Sequence, residues 1–73
     1  MRFITIQNQH GEKLAINTDS IGHVEFWSDA MHNCAVIYSN GKAITTKFTS
    51  IEAAVDYIQR AASISMGVHN GSN

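Results

Sequence analysis

The side chains best suited to chemistry lie in the middle of the chain, between residues 23 and 38. His23 and Glu25 are two residues apart, so on a strand they share a face and form a histidine–carboxylate pair. His32 and Cys34 have a spacing that could begin a metal site, and Trp27 stands between the two pairs. Acid–base catalysis, metal binding and aromatic recognition are therefore the three chemistries to weigh.

The surroundings of these residues argue against catalysis. A general base needs a nucleophile or a pocket beside it, and the sequence places neither next to His23. Asp29 and His32 with a serine copy the parts of a catalytic triad, but no nucleophile elbow or glycine-rich phosphate loop is present. A structural zinc uses four ligands in paired spacings, whereas the chain has a single cysteine. We predict a protein that is not an enzyme and has no cofactor, with metal binding as an alternative.

Length and composition restrict the function further. With 73 residues, the chain has room for one domain, predicted over residues 1–66 with a flexible tail over 67–73. A net charge of −1 and scattered basic residues argue against nucleic acid as a partner. No apolar run is long enough to span a membrane, and a lone cysteine suits a reducing cytoplasm. We therefore expect a cytoplasmic protein without a membrane partner.

The apolar pattern predicts five strands followed by a helix. Asn40-Gly41 between two β-rich runs indicates a type I′ turn, and Thr49 with Glu52 has the spacing of a capping box. The predicted strands cover residues 2–8, 13–17, 21–28, 33–39 and 42–48, and the helical stripe comprises Ile51, Ala54, Val55, Ile58, Ala61 and Ala62. The predicted fold is α+β, a five-stranded, mainly antiparallel β-meander with one C-terminal amphipathic helix packed on one face.

The turn fixes a register, which divides the side chains between two faces. Ile37 should lie opposite Ile44, and Ser28 opposite Asn33. The face that receives the helix holds Val24, Phe26, Ala35, Ile37, Ile44 and Phe48. The second face holds Ile21, His23, Glu25, Trp27, Cys34, Val36, Tyr38, Ala43, Thr45 and Lys47. One helix covers only one of these faces.

The composition of the second face is typical of an interface. Trp27 and Tyr38 would act as anchors and Val36 as apolar filler, and three polar residues would give specificity: His23, Glu25 and Lys47. The sequence thus predicts a non-catalytic interaction module that binds a protein partner or itself as a homodimer. Two alternatives remain open: the hairpin or a curled sheet covers this face, or Trp27 and Tyr38 stack the bases of single-stranded nucleic acid beside Lys47.

Three segments together resemble the small flagellar FlbD family: residues 17–25 (NTDSIGHVE), 35–42 (AVIYSNGK) and 49–54 (TSIEAA). That resemblance implies an N-terminal hairpin, a strand closed by Asn-Gly-Lys, a helix after it, and a small non-enzymatic accessory role. In size and style the chain is also similar to phage-encoded inhibitors of bacterial defence, including anti-CRISPR proteins. That similarity implies the same kind of binding, directed at a defence complex.

Overall fold

The computed structural model describes the backbone of residues 2–67 and the side chains of residues 2–63. Its elements are β1 (Phe3–Gln7), β2 (Lys13–Asn17), β3 (Ile21–Ser28), β4 (Asn33–Ser39), β5 (Lys42–Thr45) and α1 (Ile51–Gly67), with a short 3₁₀ turn at Thr18–Ser20. The α+β class with a C-terminal helix is confirmed. The tail predicted from residue 67 lies outside the described residues, apart from Gly67, which ends α1.

The strands form two antiparallel sheets, so the prediction of one continuous meander is wrong. β1 pairs with β2, and β3, β4 and β5 form the second sheet in that order. The 3₁₀ turn separates the two sheets, because the Asn17 side chain accepts a hydrogen bond from the Asp19 amide and turns the chain away from β2. The sheets meet at a single bridge between Asn8 and Thr46, beside a hydrogen bond from the Gln9 amide to the Thr45 carbonyl at 2.9 Å.

Within the larger sheet the predicted register is confirmed. Ile37 pairs with Ile44, and Ser28 pairs with Asn33 at the far end of β3. The turn between β4 and β5 has positive φ at both central residues, 54° at Asn40 and 78° at Gly41. That geometry is the type I′ turn that the Asn-Gly sequence favours.

The core lies between the two sheets and α1. Its buried centre consists of Ile4, Ile6, Ile16 and Ile37, and the partly buried side chains around it are Leu14, Ile21, Val24, Ile44, Tyr57, Ile58 and Ala61. Residues of β3, β4 and β5 enter this core from one face of the sheet, as predicted. The hairpin packs on that same face beside the helix, so it does not cover the second face.

Two irregularities in the larger sheet correct the predicted faces. A register shift at Gly22, between Ile21 and His23, turns Ile21 toward the core rather than onto the second face. β5 ends at Thr45 instead of residue 48, because Thr46 is buried and its hydroxyl binds the Ala35 carbonyl at 2.8 Å. The alternation therefore stops before Lys47, which lies outside the ladder.

The start of α1 also differs from the prediction. Ser50, not Thr49, caps the helix: its hydroxyl accepts a hydrogen bond from the Ala53 amide at 3.0 Å. Position N3 is then Ala53, so Glu52 cannot complete a capping box. The shift also leaves Ile51 at the first helical position, where it is 38% exposed.

Candidate functional site

The candidate site is the face of the larger sheet that points away from α1. Three cross-strand pairs build it: His23 with Tyr38, Glu25 with Val36, and Trp27 with Cys34. His32, in the loop between β3 and β4, joins them at one end. We call His23, Glu25, Trp27, His32 and Tyr38 the aromatic face.

Glu25 lies at the centre of the aromatic face. Its Oε2 accepts a hydrogen bond from the Trp27 indole N–H at 3.0 Å, and its Oε1 lies 3.8 Å from His23 Nε2. Hydrogen bonds from Trp27 and then from the Tyr38 hydroxyl hold the pKa of the Glu25 carboxyl below its usual range. The same contact with Glu25 raises the pKa of Tyr38. The carboxylate thus holds the Trp27 indole in place.

The rings of the aromatic face also contact one another directly. The His23 and Tyr38 rings are stacked, with centroids 4.4 Å apart and planes 15° apart. At the other end Trp27 meets His32 edge to face, with centroids 5.0 Å apart and planes 81° apart. These ring geometries are the favoured ones for aromatic pairs. The face is therefore a connected layer, with few free rotamers left to lose when it binds.

A tight loop positions His32. The Asp29 carboxylate accepts hydrogen bonds from the Met31 amide at 2.8 Å and from the His32 amide at 2.7 Å. These two amides, the first above all, lower the pKa of the Asp29 carboxyl. Asp29 Oδ1 also lies 3.1 Å from His32 Nδ1, which orients the imidazole ring against Trp27.

Aliphatic side chains support this layer from below. Val36 is completely buried and Cys34 is 7% exposed, whereas the side chains of His23 and Glu25 are 59% and 42% exposed. Val36 and Cys34 are thus already buried, beside their cross-strand partners Glu25 and Trp27, whereas Ala43 of the predicted second face is exposed. The surface left to solvent is aromatic and polar, and Val36 lies beneath it.

The structure brings together most of the predicted site residues. Trp27, Tyr38, Glu25 and His23 form one connected group with Val36 under it. Lys47 does not join this group, because its ammonium lies beside Gly11 in the hairpin turn. Sequence reasoning did not place His32 on this face. The signal that could have helped is the Asp29-x-x-His32 spacing, which suits a carboxylate that closes its own loop.

Other chemistry finds less support in the arrangement. Across the described part of the chain, no three or more His, Cys, Asp or Glu side chains are grouped so that they could hold a metal ion. His32, within that same part, hydrogen bonds through its ring to Asp29 rather than to a hydroxyl or thiol. The Asp29 carboxylate thus orients the His32 ring, but among the described residues that ring hydrogen bonds to no hydroxyl or thiol that it could activate as a nucleophile.

None of the helices described in residues 2–67 has the length and apolar content needed to cross a lipid bilayer. Comparisons with protein-family models, with curated proteins and with solved structures found no match to this chain.

Proposed function

We propose that the protein is a non-catalytic interaction module that binds another protein, or a second copy of itself, through the aromatic face. The observation that carries this proposal is the connected Trp27–Glu25–Tyr38–His23 layer, which lies at the surface on the side of the sheet opposite the helix and the hairpin. Tryptophan and tyrosine are the residues that most often dominate binding energy at protein interfaces.

The fixed geometry of the layer favours binding. Side chains that are mobile before association lose rotamer entropy when they are immobilised, at about 0.5–1.5 kcal/mol each. Trp27 is already held by the Glu25 carboxylate and Tyr38 is stacked on His23, so less of this cost remains. Rigid aromatic anchors with a central hydrogen-bond acceptor therefore suit specific recognition.

The charge of the face favours a protein over nucleic acid. Glu25 is the ionised group at its centre, and Lys47, which was expected to add a positive charge, lies elsewhere. A carboxylate repels phosphate and accepts hydrogen bonds from the amide, arginine or lysine groups of a protein surface. His23 at the rim adds a donor or acceptor for the same purpose.

Self-association can be tested first, by sedimentation velocity over concentrations from about 10 μM to about 1 mM, which spans weak to moderate dimers. We expect the wild type to associate, or to form a complex with a partner captured from lysate, and the double variant Trp27→Ala/Tyr38→Ala to do neither. Phe3→Ala is the matched control, because Phe3 is 57% exposed on the hairpin, outside the aromatic face.

Two results would contradict the proposal. If the wild type stays monomeric and captures no partner, the proposal that the aromatic face is a binding surface is wrong. Association that survives in Trp27→Ala/Tyr38→Ala but is lost in Phe3→Ala would place the interface on the hairpin instead. Circular dichroism of each variant shows whether the sheet is still folded.

A further inference from the structure

A second candidate site lies on the other side of the molecule, where the two sheets separate. β1 and the segment after β5 are joined at the Asn8–Thr46 bridge and by the Gln9–Thr45 hydrogen bond. Beyond that junction they diverge, and a cleft of about 520 Å³ opens between β1, residues 47–48 and α1. Clefts that hold small molecules have volumes of about 300–1,000 Å³.

The inner wall of this cleft is apolar. Ile6, which is 2% exposed, contributes to it from β1. Phe48 and Tyr57 contribute two rings whose centroids are 5.3 Å apart. The Tyr57 hydroxyl donates a hydrogen bond to the Thr5 carbonyl, which holds this ring at the edge of β1. An apolar group of a ligand could therefore pack against two aromatic rings and an isoleucine.

The charged groups that line the cleft are both positive. Lys13 and Lys47 each contribute to its wall, and none of the described lining residues adds a carboxylate. Among the described residues neither lysine has an ion pair or a side-chain hydrogen bond, whereas Arg60 on α1 is paired with Asp56 at 2.9 Å. The Lys47 ammonium lies next to Gly11, on the same side as Lys13 of β2. Two lysines without an ion-pair partner among the described residues thus line the cleft together with its apolar wall.

We propose that this cleft binds a small amphipathic anion, a carboxylate or sulfonate carried on an aromatic or acyl body. The lysines complement the anionic group, and Ile6, Phe48 and Tyr57 receive the apolar part. This site is separate from the aromatic face and uses different residues, so it adds a ligand to the interaction function and does not depend on it.

Binding can be measured with the fluorescent probe 1-anilinonaphthalene-8-sulfonate, which has an anionic group on an aromatic body. We expect saturable binding with one probe per chain and amide shifts in the NMR spectrum concentrated at β1, residues 47–48 and Tyr57. Dodecanoate should displace the probe, whereas dodecyltrimethylammonium, with the same chain length and the opposite charge, should not. Equal displacement by the two amphiphiles would overturn the proposal without the need for any variant.

Charge reversal tests the role of the lysines. Lys13→Glu/Lys47→Glu should weaken the binding of the probe about tenfold or more, which corresponds to about 1.4 kcal/mol. Lys42→Glu is the matched control, because Lys42 is exposed at the start of β5 and does not line the cleft. Unchanged affinity in the double variant, equal loss in Lys42→Glu, or NMR shifts centred on the aromatic face would each refute the assignment.

Discussion

Thr46 is the buried polar side chain at the junction of the two sheets, and Thr46→Val removes its hydroxyl while keeping its shape. The residue is 1% exposed. Its Oγ1 donates to the Ala35 carbonyl at 2.8 Å and accepts from the Phe48 amide at 3.1 Å. In the valine variant the Ala35 carbonyl keeps the hydrogen bond from the Thr46 amide at 3.1 Å, but the Phe48 amide loses its acceptor.

The size of the effect follows from these two bonds. A buried donor left without a partner costs about 1–3 kcal/mol, and the loss of a hydrogen bond whose acceptor keeps another partner costs about 0.5–1.5 kcal/mol. Because the Phe48 amide is only partly buried, its cost lies toward the lower end of the first range, and we expect Thr46→Val to lower the free energy of unfolding by about 2–3 kcal/mol in total. For a domain of this length that corresponds to a fall in Tm of roughly 8–24 °C. Since native domains have total stabilities of only about 5–15 kcal/mol, the loss is large.

Urea denaturation followed by circular dichroism measures this loss, and Thr45→Val provides the control. Thr45 directly precedes Thr46 and is only half-buried. Its backbone carbonyl accepts the hydrogen bond from the Gln9 amide, and valine keeps that carbonyl. We expect the control to stay within about 0.5 kcal/mol of the wild type, as for substitutions that remove no buried bond. If Thr46→Val also stayed within that range, the hydroxyl would not hold the junction, and the explanation that its burial ends β5 at Thr45 would be wrong.

Three further substitutions test local features. The pKa of Glu25 is lowered in the folded chain, so its contribution to stability is present above the usual carboxyl value of 4.5 and is lost as the pH falls through the folded value. In urea titrations, Glu25→Gln should therefore lose less stability on acidification than the wild type does. Gly41→Ala should lower the free energy of unfolding by about 1–2 kcal/mol, because φ is positive at that position. Gly22→Ala should cost less, because φ is not positive there and the new Cβ would lie 4.0 Å from the Tyr38 carbonyl oxygen. Ser50→Ala should lower the free energy of unfolding by about 1 kcal/mol through loss of the helix cap, whereas Thr49→Ala should not. A larger loss in Thr49→Ala than in Ser50→Ala would identify Thr49 as the cap.

The sequence was sufficient for the features that depend on local rules. The Asn40-Gly41 turn determines the pairing of β4 with β5, and alternation then places Val24 and Ile37 in the core. The grouping of Trp27, Tyr38, Glu25 and His23 follows from the same period of two. For these elements the prediction agrees with the structure, because each depends on residues close together in the chain.

The sequence was not sufficient where tertiary packing overrides alternation. Burial of the Thr46 hydroxyl ends β5 early and removes Lys47 from the predicted face, and the shift at Gly22 turns Ile21 inward. Neither event has a signal in a pattern of apolar and polar residues, since both depend on what lies opposite in space. The position of His32 depends in the same way on Asp29 and Trp27 together.

Trp27 is the only tryptophan in the chain, so its fluorescence reports on whether the aromatic face is covered when the protein binds. Iodide quenching of its fluorescence can be compared between the free protein and the protein in its complex with a second copy or a captured partner. We predict that quenching falls when the complex forms and that Phe3→Ala behaves like the wild type. A complex in which Trp27 is quenched as readily as in the free chain would contradict the claim that the aromatic face is the binding surface.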